Sequence, residues 1–403
     1  MGKTGEAFAE FAYGAPLEHG LLFDRKEEIR RIVERVSAIK VSARNDIVLV
    51  GPRRVGKSSL LNYLEFELGK KGFFAVKMDC EGHDLVSFLR SYGNAVVAAS
   101  LEDKTLARKF LEGMRKGFAE AVTALAELLG LVSGVELKLG EFLKLRIEFE
   151  KTLAGRPLNE QEIESLAEKT LALPETLGGK FVLLFDEFQE TSGFKLHGKG
   201  FHASLRRITQ NQKNAVYVFT GSAVGMIRDI FGNPSNPLAG NAEIMAVKPF
   251  SKEITFDFLE KRFSRAGRRP GGKAKEFVFQ VTGGFPSYLN WLGLSMLQSS
   301  KMRELGLKEA QEAFEKMFSP MSPIYQMIER QVAKLGGKTK KILAAVAAGR
   351  KKPSEIAKYA GTKNAYVYLD RLEKYGMLEQ TKEKNYEFCD PVMKEYYARS
   401  VLR

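Results

Sequence analysis

The segment Gly51-Pro-Arg-Arg-Val-Gly-Lys57-Ser58 constrains this chain more than any other. It matches G-x-x-x-x-G-K-[ST], a loop whose glycines let backbone wrap around phosphate groups. An apolar run, Ile47–Val50, leads into it. A stretch of helical periodicity, Leu60–Leu68, follows and is closed by Gly69 and Gly72. Strand, glycine-rich turn and helix together aim loop N–H groups and a helix N-terminus at an anion. Gly51, Pro52, Arg53, Arg54, Val55, Gly56, Lys57, Ser58 and Ser59 therefore form the candidate phosphate cradle. Lys57 is expected to reach the β- and γ-phosphates, and Ser58 to ligate Mg²⁺. A glycine turn that happened to carry Lys-Ser would need neither flanking element. Gly2-Lys3-Thr4 lacks both and reads as a terminus.

A second motif lies about 130 residues downstream, where Phe181–Phe185 delivers Asp186 and Glu187 at the end of an apolar strand. Alone, an acidic pair after a strand is usually a solvated loop or a helix cap. Beside a phosphate loop it suits catalysis: Asp186 in the Mg²⁺ shell, Glu187 orienting or deprotonating the attacking water. A strand-like segment, Phe73–Met78, falls between the two motifs. With Glu187 it suggests the additional-strand, catalytic-glutamate class of P-loop ATPases. No Asn-Lys-x-Asp, the guanine-reading element of typical GTPases, occurs in the chain, which favours ATP.

The wider pattern is strands alternating with helices, including a helix at Arg25–Ile39, another capped by Asn159 and one at Phe201–Asn211, then a strand at Val216–Thr220. That alternation predicts an α/β fold with a mainly parallel sheet. Residues 84–175 read as an insertion, helical to about 130, then a hairpin at 135–149 with period-two alternation on both sides of Gly140. The expected division is an ATPase core over 1–248, a helical lid over 249–319 and a small domain over 320–403, joined by a linker at Ser319–Pro323. Cys80 and Cys389 are too few for a disulfide framework. No apolar run approaches the ~20 residues that span a bilayer. Without a signal-peptide pattern either, the expectation is a cytoplasmic protein with no membrane partner.

Several segments together resemble the archaeal ATPase family, in the STAND branch of the AAA+-like P-loop ATPases. Phe23-Asp24-Arg25-Lys-Glu-Glu-Ile29 looks like the family's entry segment. Gly51–Ser59 and Leu183–Gln189 match its Walker segments. Phe219–Ser222 with Val224–Ile227 matches its G-S-x-x-x-x-M stretch, and Gly283-Gly-Phe-Pro286-Ser-Tyr288-Leu289 its lid motif. The resemblance implies a lid whose Pro286 region contacts nucleotide, and an entry segment, Asp24 and Arg25, beside it. In AAA+-like proteins the end of the Val216–Thr220 strand is the sensor position, which Ser222, or failing it Thr220, would occupy. Arg206 and Arg207 stand where such proteins carry an arginine finger, although a solvated basic face explains them equally well. One departure is Asn241, where the family usually has arginine. Turnover would then be weak, or Arg206 or Arg207 would substitute.

The charge balance, 63 Lys+Arg against 49 Asp+Glu, is uneven along the chain. Residues 338–403 hold 15 basic and 8 acidic residues, half of the total excess of +14. Helices expected at Lys338–Ala348, Pro353–Ala360 and Asn364–Tyr375, then strands at Met377–Thr381 and Tyr386–Cys389, give a winged helix-turn-helix pattern. Such a domain reads DNA with its third helix and touches phosphate with its wing. Lys363, Asn364, Tyr366, Tyr368, Arg371 and Lys374 are the helix candidates, and Lys382 and Lys384 the wing candidates. Val367, Leu369 and Leu372 are expected in the core. Winged helices also bind proteins. Two functions therefore compete: a DNA-associated ATPase, and a STAND-type switch with slow turnover that assembles with a protein partner or with itself. A second basic cluster, from Lys261 and Arg262 through Arg265, Arg268 and Arg269 to Lys273 and Lys275, would extend a DNA path or simply solvate the lid.

Overall fold

A computed structural model describes residues 9–17, 19–41, 43–100, 159–196, 199–300, 302–333 and 335–401. The hairpin expected at 135–149 and the middle of the 84–175 insertion lie outside them.

Five strands form one parallel sheet: β1 (Asp46–Val50), β2 (Phe74–Asp79), β3 (Phe181–Asp186), β4 (Ala215–Gly221) and β5 (Ala242–Ala246). Their spatial order is β2-β3-β4-β1-β5. Every residue of β1, β3 and β4 is buried. Helices cover both faces, so these strands are apolar runs rather than alternating ones. The four strands expected from sequence are present with ends shifted by a residue or so. The edge strand β5 was not expected. Its sequence, Ala-Glu-Ile-Met-Ala, lacks a continuous apolar run because one side is open, and Ile244 is 40% exposed.

The sheet is flanked by α1 (Lys26–Ser37), α2 (Lys57–Lys70), α3 (Leu85–Ser100), α4 (Glu160–Leu171), α5 (Phe201–Thr209) and α6 (Val224–Gly232). Asn159 caps α4 as expected: its side chain accepts from the N–H of Glu162, whose carboxylate accepts from the N–H of Asn159. This reciprocal box satisfies two donors that a helix start leaves unpaired.

Beyond the sheet come α7 (Lys252–Arg265), α8 (Gly272–Thr282), α9 (Pro286–Ser299), α10 (Leu307–Met317) and α11 (Pro323–Ala333). Three further helices, α12 (Gly337–Ala347), α13 (Pro353–Ala360) and α14 (Tyr366–Lys374), precede an antiparallel pair, β6 (Leu378–Gln380) and β7 (Tyr386–Phe388), and α15 (Pro391–Val401). One continuous apolar core joins all of these, including Phe258, Tyr288, Ile328, Leu343, Leu369 and Val392. Pro323, expected to end a linker, opens α11 instead, where Ile324 and Ile328 are fully buried. Proline suits a first helical position because its missing N–H would be unpaired there anyway.

One sequence expectation changes here. Val367 is 64% exposed, not core; Leu369 and Leu372, two and five residues on, carry the buried side of α14. The basic cluster on α7 and α8 is largely neutralised. Arg262 is buried against Glu10, Arg265 reaches the same carboxylate, Lys261 pairs with Asp257, and Lys275 pairs with Glu260.

Phe11 anchors the N-terminal segment in the helical core. It is fully buried, 4.7 Å from the Phe263 ring and 6.0 Å from the Phe258 ring. Phe11→Ala is expected to lower stability by about 3–5 kcal/mol, the usual cost of such a cavity. Urea unfolding measures this; a loss below about 1 kcal/mol would mean that the segment is not packed as described.

Candidate functional site at the carboxyl edge of the sheet

Parallel pairing places the ends of β1, β3 and β4 side by side, with Val50 opposite Gly221 and Phe185 opposite Phe219. The loop after β1 carries Gly51–Gly56, and Lys57 and Ser58 open α2. Gly51 admits no side chain, because a Cβ there would lie 2.2 Å from the carbonyl oxygen of Val247. Gly56 has φ of +95°, a left-handed conformation that glycine adopts without steric cost. Arg54 is also left-handed, with φ of +69°. Pro52 lends its carbonyl to the loop, and Val55 packs under it in the apolar core.

Lys57 is buried, and its ammonium donates to the carbonyls of Gly51 (2.7 Å) and Pro52 (3.0 Å). Burial pulls its pKa down to about 8. The charges of Glu187 and Asp186 oppose that shift and Arg53 adds to it. The ammonium therefore sits between loop carbonyls and the acidic pair. Ser58 is half-buried at the helix start. Ser59 is turned elsewhere: its hydroxyl accepts the N–H of Leu17 (2.9 Å).

Asp186 ends β3, and its Oδ1 accepts from the Thr220 hydroxyl and from the N–H of Glu187. Its Oδ2 receives no hydrogen bond from the described residues. Glu187 is left-handed, with φ of +49°. Such a conformation costs a non-glycine residue about 1–2 kcal/mol and points to a constrained site. The turn carries the Glu187 carboxylate to Ser222. Oε2 accepts from the Ser222 N–H (3.1 Å), the Ser222 hydroxyl (2.7 Å) and Gln189 Nε2 (2.5 Å). Burial would raise the Glu187 pKa, but Lys57, Gln189 and Ser222 outweigh it and hold the carboxyl below its ordinary value. Arg53 Nε donates to the same Ser222 hydroxyl (3.1 Å). Both hydroxyls considered at this strand end thus have a partner in the acidic pair, Thr220 with Asp186 and Ser222 with Glu187.

Arg25, beside Asp24 in the entry segment, is buried. Its guanidinium donates to the carbonyls of Val55 (3.0 Å) and Lys248 (2.8 Å) and lies over the Phe250 ring. It ties the phosphate loop to the chain leaving β5. Pro286 opens α9, and two residues on, the Tyr288 hydroxyl accepts from Arg54 (2.7 Å). Arg206 and Arg207 lie on the exposed end of α5. Arg206 donates to the Pro237 carbonyl (2.8 Å), the acceptor that Asn241 Nδ2 approaches at 3.5 Å, while Arg207 pairs with Glu164 and Glu168.

In the C-terminal part, Lys363, Asn364, Tyr366, Arg371 and Lys374 are exposed around α14, and Lys382 and Lys384 lie exposed between β6 and β7. Tyr368 is half-buried against the core, and Lys374 pairs with Asp370. Gln189, Tyr288 and Asp390 were not singled out from sequence. Gln189 and Tyr288 lie inside recognised motifs, but Asp390 carried no local signal.

Residues 22–292 match the model of an ATPase domain found predominantly in Archaea. The sequence has no match among curated proteins. Among solved structures, the chain is similar to the Walker-type ATPase PABY2304 of Pyrococcus abyssi, with 22% identity, a TM-score of 0.66 and coverage of 96% of this chain and 99% of that one. It is also similar in fold to the ORC2 protein of Aeropyrum pernix, determined in ADPNP–ADP complexes, with 11% identity, a TM-score of 0.53 and coverage of 97% and 96%. No described helix is long and apolar enough to cross a membrane.

The Lys57 pKa predicts a pH dependence. Only the protonated ammonium attracts phosphate, and in the folded protein it loses its proton above about 8. Affinity for a nucleoside triphosphate is therefore expected to be level below that pH. Above it, affinity should fall by up to about tenfold per unit, with uptake of a proton on binding. Calorimetric titration in buffers of different ionisation heat reads both effects; constant affinity from pH 7 to 10 would contradict the assignment.

Proposed function

This chain belongs to the archaeal ATPase family, and from that premise we propose that it binds ATP with Mg²⁺ at the sheet's carboxyl edge and uses its hydrolysis to control a C-terminal winged helix that contacts DNA. The observation that carries the catalytic part is the convergence of Lys57, Asp186, Glu187 and Ser222 from three separate strand ends. Gly51, Gly56 and the start of α2 cradle the phosphates, and Lys57 offsets their charge. Ser58 and Asp186 offer hard oxygen donors of the kind Mg²⁺ takes beside phosphate oxygens; the bound ion would neutralise charge on the β- and γ-phosphates. Glu187 orients a water in line with the γ-phosphorus and takes its proton as the new P–O bond forms and the bond to the β-phosphate oxygen breaks. Ser222, with Thr220 as the alternative, registers the γ-phosphate. The protein works in the cytoplasm, where ATP is plentiful and the free thiols of Cys80 and Cys389 stay reduced.

For DNA, the support is the exposed basic and polar surface of α14 and the turn between β6 and β7. A recognition helix enters the major groove, and lysines and arginines around it meet phosphates. Lys363, Asn364, Tyr366 and Arg371 are exposed for this, although the Asn364 side chain accepts the Tyr366 N–H and Arg371 lies over the Tyr375 ring; Lys382 and Lys384 extend the surface, and Tyr368 contributes through its exposed edge. Lys374 first has to leave Asp370. The winged helix follows a lid formed by α7–α10, whose Pro286 turn lies against the nucleotide. A second reading, a slow STAND-type switch with a protein partner or self-assembly, draws on exposed Tyr366 and Val367. In that reading Asn241 leaves turnover weak unless Arg206 or Arg207 reaches a neighbouring subunit.

Lys57→Ala is expected to abolish nucleotide binding, and Glu187→Gln to retain binding while turnover falls at least about a hundredfold. Full turnover by Glu187→Gln would remove Glu187 as the base. Replacing Lys363 and Arg371 with alanine should weaken duplex binding and flatten its salt dependence by about one unit of slope for each phosphate no longer neutralised. Unchanged affinity and slope would favour the protein-partner reading, as would assembly on ATP with no stimulation by DNA.

A further inference from the structure

Arg54 sits in the phosphate loop, yet its side chain points away from the acidic pair and into the C-terminal part of the molecule. Its guanidinium donates to Asp390 Oδ2 (2.6 Å), to the Tyr288 hydroxyl (2.7 Å) and to Gln331 Oε1 (3.0 Å). The Tyr288 hydroxyl in turn donates to the same Asp390 oxygen (2.5 Å). Asp390 immediately precedes α15, and its other oxygen accepts the N–H groups of Val392 and Met393. The ion pair is nearly closed to solvent, with side-chain exposures of 8% and 10%. Four separate parts of the chain, the phosphate loop, α9, α11 and the start of α15, therefore meet on one buried cation.

The backbone of Arg54 gives this meeting a function. Its φ of +69° is a conformation that side-chain-bearing residues avoid, and it persists only where surroundings over-determine it. The position lies between Gly51 and Lys57, inside the loop whose N–H groups have to face phosphate. Glycine would hold the same conformation without help. Arginine needs its far end anchored, and the anchor here is Asp390, braced by Tyr288.

We propose that Asp390 and Tyr288 are positioning residues for nucleotide binding, acting through Arg54 to hold the phosphate loop in its phosphate-facing shape. The C-terminal part is then an element of the nucleotide site, and any movement of α15 away from the loop lowers affinity for ATP. This rests on the nucleotide-binding reading above, but not on the identity of the base or on DNA.

The test is ATP affinity, measured by titration with a fluorescent ATP analogue, for Asp390→Asn in two backgrounds. The asparagine keeps an oxygen for the N–H groups of α15 but removes the charge that holds Arg54. In the native background the dissociation constant is expected to rise about tenfold, within the usual range of coupling between sites. In an Arg54→Gly background, where the loop no longer depends on the anchor, the same change should alter affinity less than about twofold. Tyr288→Phe, which removes only a hydroxyl, should show the same contrast and serves if Asp390→Asn does not fold. Unchanged affinity in the native background, or an equal loss in both, would overturn the proposal. If the native chain itself binds no ATP, and Lys57→Ala changes nothing, the nucleotide-binding reading fails instead.

Discussion

The site depends on one constraint, the parallel pairing of β4 with β3 on one side and β1 on the other. That order puts a phosphate loop, an acidic pair and a hydroxyl-bearing strand end at adjacent positions along one edge. Each strand contributes one chemical element, and none is useful alone. Lys57 is buried because β1 and α2 bury it, and its charge is sustained by carboxylates that β3 brings near. Glu187 is held in a strained turn because the residue just after β4 supplies two donors to its carboxylate. The electrostatic balance of the site is thus set by strand order before any ligand arrives.

A second level of organisation links this edge to the far end of the sequence. Arg25 ties the phosphate loop to the segment leaving β5, and Arg54 ties it to α9, α11 and α15. Close packing adds another link: a Cβ on Gly225 would lie 2.6 Å from the Lys374 Cα, so α6 and the end of α14 touch through backbone. Gly376, just beyond α14, approaches the Ser222 carbonyl, with 3.1 Å left for a Cβ. Ser222 is the residue that holds Glu187. The C-terminal part therefore lies against both the phosphate loop and the strand end next to the acidic pair. Packed interfaces of this kind shift between discrete arrangements rather than deform continuously.

Much of this was legible in the amino-acid sequence, for identifiable reasons. The Walker segments announce themselves because phosphate chemistry demands particular residues at particular spacings. The central strands were legible because burial on both faces leaves uninterrupted apolar runs. The edge strand β5 escaped notice because partial exposure removes that run. Val367 lies on the open side of α14 because a short helix can place a β-branched residue there, and a period alone does not say which side is covered. The basic run on α7 and α8 is open in sequence to a DNA path or a solvated lid, because its carboxylate partners lie partly in the distant N-terminal segment. Asp390 had no local signature at all: its role exists only because the fold brings Arg54 to it.

Through the proposed Arg54–Asp390 anchor, nucleotide state and the C-terminal part are linked by way of the phosphate loop. Amide hydrogen exchange over residues 366–376 and 390–397, compared without nucleotide, with ADP and with a non-hydrolysable ATP analogue, tests this most directly. With the loop and α15 linked, exchange in both segments depends on which nucleotide is bound, with protection around 390–397 greatest when the phosphate loop is filled by the triphosphate. Identical exchange in all three conditions, in a protein shown to be saturated with nucleotide, would contradict it.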